Sequence, residues 1–358
     1  MSSSTMPRLS PALGSSGTAH ATSRQPGLRR VAACLLILAA IAARDAEART
    51  WFVNWNGGSD FLTITAACAA AASGDTVAVL AGSYHEYDGP GSGPQLTGKS
   101  LSLIGWAEGP EDVVATIHLE FRDCPTVRIE GMTFRECPIA VDYAGGESLT
   151  IDRCRFEDCT YDQSASAVRF VAPNARLQIE DCVFVGNQVE DDEAGGAVTF
   201  EGNGSATILR CAFTENTGAS AGAAISATGG DIDIEDCLFL RNTAVNGPAV
   251  YASQVRRLAG CTFYENQTTS DTGAALFVNV VLNEIERCII ARTQNGYGFD
   301  TDLWASTRCS CYWQNQKGPT GGSGQAPASY GNIFTDPLFC GAGDGDFTLD
   351  AASPCLPG

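Results

Sequence analysis

One phrase recurs along the chain and leaves few folds open: apolar-x-apolar, two further residues, Cys-x-Phe, then two residues and Asn. It reads Leu177-Gln178-Ile179-Glu180-Asp181-Cys182-Val183-Phe184 with Asn187. It returns as Cys211, Phe213 and Asn216, as Cys237, Phe239 and Asn242, and as Cys261, Phe263 and Asn266. Degenerate copies carry Met132, Phe134 and Cys137, then Cys154, Phe156 and Cys159, and later Cys288 and Ile290. Successive Cys or Met positions lie 22 to 29 residues apart. Between them runs a second phrase: Gly196-Ala197-Val198, Gly222-Ala223-Ala224-Ile225, Gly247-Pro248-Ala249-Val250 and Gly273-Ala274-Ala275-Leu276.

Each repeat thus holds short alternating segments parted by turn residues, and within the repeats none has the length or 3.6-residue period of a helix. Parallel strands need a long return path. Here the remainder of each coil supplies it, so every strand pairs with its equivalent one turn on. A propeller blade needs about 40 residues, and the leucine pattern of a leucine-rich repeat is missing. The expected fold is all-β, a single-stranded right-handed parallel β-helix with three short strands per coil. Residues 49–75 are read as an N-terminal cap, 76–315 as coils, and 316–358 as a C-terminal loop and closing coil. Within the cap, Phe61–Ala72 is expected to be an amphipathic helix with Ile64, Cys68 and Ala71 on its stripe, stopped by Gly74. Such a helix would cover the open end of a solenoid.

Residues 1–48 read as an export signal: Arg24, Arg29 and Arg30 flank the apolar run 31–43, and Ala46-Glu47-Ala48 forms a small-x-small cleavage site. The run is too short to span a bilayer, so no transmembrane anchor is expected after signal removal, and the mature chain is expected to be secreted or held at the cell surface. With 41 Asp and Glu against 22 Lys and Arg, a nucleic-acid surface is excluded, because phosphate neutralisation needs clustered cations. Neutral sugars, cations or a basic protein surface remain as partners.

Ser73-Gly74-Asp75-Thr76-Val77 followed by Gly82-Ser83-Tyr84-His85-Glu86 resembles the opening of pectin-lyase-like β-helix proteins. The Gly-Ala and Phe-x-x-Asn phrasing is similar to bacterial polymorphic outer-membrane repeats. The tail, Asn332 through Asp336-Pro337-Leu338-Phe339, Gly345-Asp346-Phe347 and Ser353-Pro354-Cys355, resembles the closing segment of secreted bacterial β-helix repeat proteins. The resemblance spans nearly all of residues 50–358. It implies the fold but not one activity, since such proteins include lyases, hydrolases, epimerases and non-catalytic surface proteins.

The cysteines follow the coil. Cys154, Cys182, Cys211, Cys237, Cys261 and Cys288 share one inward position and should stack roughly 4.8 Å apart as a packed thiol ladder. Cys137 and Cys159 replace the turn Asn in adjacent coils and are placed to be bridged. Cys340 and Cys355 would close a tail loop by a disulfide. Asn187, Asn216, Asn242 and Asn266 are expected to form a ladder bonding turn backbone and one another.

Outward residues carry the candidate chemistry. One row runs Glu130, Asp152, Glu180, Leu209, Glu235, Ala259, Glu286, and the next Gly131, Arg153, Asp181, Arg210, Asp236, Gly260, Arg287. Charges alternate along the second row over four coils, which reads first as a salt-bridge ladder. The resemblance adds a sharper reading: lyases of this kind hold Ca2+ on clustered carboxylates and use Arg or Lys as the base. That makes Asp152, Arg153, Glu180, Asp181 and Arg210 catalytic candidates. The turn loops supply Tyr161, Asp162, Tyr297 and Trp304 as binding candidates, and Glu190, Asp191, Asp192 and Glu193 as a calcium candidate lacking the interleaved Gly and Asn of dedicated loops. No cofactor is required by any motif; Ca2+ is the cation these acids would take. The leading expectation is a non-catalytic scaffold that binds a polysaccharide or cell-surface glycan. The alternative is a polysaccharide lyase or glycoside hydrolase, which needs facing carboxylates.

Overall fold

Every coil repeats one path, set out by residues 168–189. Val168–Val171 forms a strand, Pro173-Asn174 turns the chain, and Arg176–Glu180 forms a second strand. A single left-handed residue, Asp181 (φ 52°), bends it into Val183–Val185. Another, Gly186 (φ 64°), leads to the two-residue strand Gln188–Val189. The computed structural model describes residues 47–356 apart from 90–92, 162–165, 190–194 and 304, and residues Ala48–Gly358 form one unit. The expected export signal lies almost wholly outside the described residues.

Among the described residues, stacking coil on coil builds three parallel sheets of 19, 10 and 5 strands, with a small C-terminal antiparallel hairpin. This is the expected right-handed β-helix. The largest sheet takes two strands from most coils because it continues round a corner, most clearly in the long strand Val250–Ala259. Through the middle coils the register is unbroken: Leu149, Leu177, Ala206 and Ile232 are successive partners, as are Phe156, Phe184, Phe213, Phe239 and Phe263. It shifts where Val250–Ala259 joins its neighbours.

That register turns the sequence repeat into three inner columns. Phe134, Phe156, Phe184, Phe213, Phe239 and Phe263 stack nearly parallel, with neighbouring ring centroids 4.7–5.1 Å apart, the spacing that neighbouring strands impose. The six thiols beside them are buried. Cys182, Cys211 and Cys237 each donate to the carbonyl two residues back, at 3.1–3.2 Å, and burial pushes all three thiols well up. Met132 begins this column, and Ser310 and Asn332 continue it below Cys288. The third column is amide: Asn187 donates to Asn216, Asn216 to Asn242, and Asn242 to Asn266, at 2.9–3.0 Å. Each of the four also donates to a Phe carbonyl of the preceding coil.

At the N-terminal end, helix α1 (Ile64–Ala70) lays Ile64, Ala67 and Cys68 over the first coils. It is shorter than the 61–72 expected. Phe61 is drawn into a bridge with Val53, Thr63 caps the N-terminus through Ala66 N, and Ala71 is already extended. At the other end, Phe339–Gly341 and Asp346–Leu349 form the hairpin. It folds back on the outside of the 10-stranded sheet, where Phe339 and Phe347 join Leu240, Tyr264, Ala291, Ile289 and Trp313 in a second apolar cluster.

Candidate functional site

The five catalytic candidates do come together on three adjacent coils, at the corner between the first and second sheets. Asp152, Glu180 and Leu209 are strand partners, and Arg153, Asp181 and Arg210 follow them in left-handed turns. What they form is a chain of ion pairs. Glu130 receives both Arg128 and Arg153, and Asp152 lies 3.2 Å from Arg128 and 2.8 Å from Arg153. Arg210 bonds Glu180 and binds both oxygens of Asp181 at 2.8 Å. Burial lifts the Asp152 carboxyl against its arginines, whereas the hydrogen bonds from Arg210 hold Asp181 low. The same bonds drive the Arg210 guanidinium above its ordinary value, the wrong direction for a group that must accept a proton. Farther along, Arg257 lies 3.3 Å from both Glu235 and Glu286. The second corner repeats the device: Glu157 is held by Arg135 and Arg155 at 2.6 Å each, and Arg241 reaches Glu215 and Glu265.

A different polar group sits on the outer face of the first strand, where Glu120, Asp142 and Arg169 are successive partners. Arg122 bonds Glu120 at 2.7 Å and Asp142 at 2.8 Å, and Arg169 reaches Asp142 at 3.3 Å. His118 stands beside them with its Nε2 buried and without a hydrogen-bond partner. Burial lowers its pKa, opposed by the charges of Asp142 and Glu120. This row was not singled out from the sequence. The alternation of residues 118, 120 and 122, set against 142 one coil on, was the available signal.

Of the four binding candidates, Tyr161 and Tyr297 fall among the described residues. Tyr297 begins the strand Tyr297–Asp300, and its ring lies against Gly321, where a side chain would collide with it. Tyr161 ends the strand Thr160–Tyr161. Asp162, Trp304, Glu190, Asp191, Asp192 and Glu193 lie outside the described residues. Among the described residues, no three His, Cys, Asp or Glu side chains converge as a metal site would require.

The four disulfide candidates fall in two different settings. Cys137 and Cys159 are neighbours in the Asn column but are free buried thiols that hydrogen-bond one another. In a parallel column the Cβ atoms follow the strand spacing of about 4.8 Å, wider than the 3.5–4.5 Å a disulfide prefers. Cys340 is exposed and free, and Cys355 turns instead toward Cys311.

Along the turn between the two strands of the first sheet, three coils line a shallow groove of about 510 Å³ with Glu147, Ser148, Asn174, Arg176, Asn203 and Ser205. Its walls are amide, hydroxyl and backbone, with one charge of each sign.

Residues 115–239 match the family described as "Right handed beta helix region". No curated protein matches the chain. Among solved structures, the catalytic unit of the thermostable GH87 alpha-1,3-glucanase from Streptomyces thermodiastaticus strain HF3-3 is similar at 13% identity and a TM-score of 0.28. That similarity covers 76% of this chain and 64% of the glucanase chain. The chain therefore spans less than two thirds of that enzyme unit.

Proposed function

We propose that this right-handed parallel β-helix is an exported, non-catalytic scaffold that holds neutral glycan chains along its outer turns. The ion-pair ladder carries the reading. The carboxylates singled out at the corner are already engaged by arginines, and a general acid or base must instead be free to exchange a proton with the substrate. The groove over Ser148, Asn174, Asn203 and Ser205 presents donors and acceptors at the coil repeat, a fit to hydroxyl-rich polymers. The net charge of −19 disfavours an anionic polymer unless a cation bridges it. The leader sequence supports export.

One observation favours a second reading, polysaccharide cleavage. The unpartnered Nε2 of His118 lies beside Glu120 and Asp142, so an imidazole whose pKa burial lowers sits next to two carboxylates, both of them engaged by Arg122. Affinity electrophoresis of the mature chain in neutral glucans, xylans and mannans, and in uronate polymers with and without Ca2+, tests both. Retardation by a neutral polymer is expected. It should weaken by about tenfold in Asn174→Ala with Asn203→Ala, the effect of losing one to two sugar hydrogen bonds. Appearance of new reducing ends or unsaturated uronides would overturn the non-catalytic reading, and their loss in Asp142→Asn would move the site to the His118 face.

A further inference from the structure

We propose that Cys311 and Cys355 join in a disulfide that latches the C-terminal hairpin to the outside of the last full coil. Pleat parity separates Cys311 from the thiol ladder. Tyr312 continues the inward column of Phe263 and Ile290, so Cys311 and Trp313 face outward. The ladder position in this coil belongs to Ser310, whose hydroxyl accepts from Cys288 N. An outward cysteine here is nonetheless buried, because the returning tail covers it.

The tail is held on both sides of the junction. Phe339 and Phe347 meet Tyr264 edge to face at 5.7 and 5.2 Å. The hydroxyl of Ser353 donates to Pro337 O and accepts from Cys355 N. Both thiols line one cavity of about 570 Å³ between coil and tail, where they hydrogen-bond each other, and Cys311 also donates to Thr335 O at 3.3 Å. The hydrogen bond with Cys311 pushes the Cys355 thiol down, whereas burial pushes the ladder thiols Cys182, Cys211, Cys237 and Cys261 up. Cys355, part-exposed on the tail, is the thiol of the pair that a small disulfide reaches first, whereas Cys311 and the ladder thiols are buried.

The oxidant is a small-molecule disulfide. Cys355 thiolate attacks one of its sulfurs and expels one thiol, leaving a mixed disulfide. Cys311, losing its proton, then attacks the Cys355 sulfur and expels the second thiol, so two electrons pass to the small disulfide. The bond rests on the export reading only for its setting, since a reducing compartment would keep it open.

The test adds oxidised glutathione to the purified full chain, alkylates remaining thiols under denaturing conditions, and maps peptides without reduction. A Cys311–Cys355 peptide is expected. Chymotryptic release of the tail should then be slower by about tenfold or more than in reduced protein. Cys355→Ser, which lies in the tail and leaves the coils intact, should abolish both effects, as should Cys311→Ser, while Cys340→Ser changes neither. Alkylation of both cysteines after oxidation, or Cys355 linked to Cys309 or Cys340, would overturn the assignment. Protein that is reduced as isolated but links correctly in vitro would count against export and leave the latch standing.

Discussion

Glu157 is clamped between Arg135, from the coil before it, and Arg155, two residues back in its own strand. Burial raises its carboxyl, but the hydrogen bonds from the two arginines outweigh that and the net shift is downward. A carboxylate held low in the folded state stabilises the fold above its unfolded pKa, and that contribution is lost as pH falls through the depressed value. Glu157→Gln should therefore lower stability by about 1 kcal/mol at neutral pH, the range of partly exposed ion pairs. The deficit should fade in acid. Urea unfolding across a pH series measures it, and a deficit equal at every pH would show that the ion pairs are not its source. Asp152 has the opposite sign. Burial raises its carboxyl in spite of Arg128 and Arg153, so its contribution is full below the unfolded pKa and is lost as pH rises through the folded one. Two carboxylates in equivalent ladders thus respond oppositely to acid although they are similarly buried: the close bonds from Arg135 and Arg155 decide it at Glu157, and at Asp152 the neighbouring charges of Glu130 and Glu180 add to burial.

Corners are where the strands of a coil meet, and the two described here each need one left-handed residue. Gly131, Arg153, Asp181, Arg210, Asp236, Gly260 and Arg287 serve at one, and Glu136, Asp158, Gly186, Glu215, Arg241, Glu265 and Arg292 at the other. A side chain in this conformation costs roughly 1–2 kcal/mol, and glycine escapes most of it. Glu215 is weakly held, 3.5 Å from Arg241 with its side chain largely exposed. Glu215→Gly should be neutral or stabilising by up to about 1 kcal/mol in chemical denaturation. A loss larger than that would mean that the stacked charge outweighs the backbone strain. The corners also mark the limit of what was legible. The inward columns could be read directly, because burial forces the same residue into each coil and Cys, Phe and Asn recur. The charge alternation was visible too. The left-handed backbone beneath it was not, since charged residues fill positions usually betrayed by Gly or Asn. The His118, Glu120 and Asp142 group was hidden for a related reason: it forms only through pairing between coils, and no single segment spells it.

A solenoid built this way has no natural end, so its stability as a separate molecule depends on what closes it. The C-terminal end borrows an unusual surface. Outward positions on the second sheet turn from Arg155 and Glu157 in an early coil to Leu238, Leu240, Tyr264, Ile289 and Trp313 in the last ones, and the hairpin covers that strip. In the sequence those residues looked like scattered apolar substitutions, because the segment that buries them lies up to about 100 positions away in the chain and has no repeat of its own. Helix α1 at the other end is similar. Its apolar stripe was readable, but its ends are set from a distance. The Glu86 carboxylate accepts Ile64 N and Thr65 N at 2.6 and 2.8 Å, and Lys99 donates to Cys68 O and Ala71 O at 2.7 and 2.8 Å. An anion at the N-terminus and a cation at the C-terminus both complement the helix dipole. Each should contribute about 1–2 kcal/mol to docking the helix. Glu86→Gln combined with Lys99→Met should therefore loosen the cap while leaving the Cys, Phe and Asn columns of the middle coils in place. The edge strand Thr50–Val53 pairs with Thr76–Leu80 on one side and on the other only through the bridge of Val53 to Phe61, among the described residues. A loosened helix segment therefore leaves that side an open neighbour position. The expected result is concentration-dependent end-to-end association in light scattering, with little change in far-ultraviolet dichroism. A double variant that stays monomeric at every concentration would show that edge protection comes from the strand itself and not from the helix.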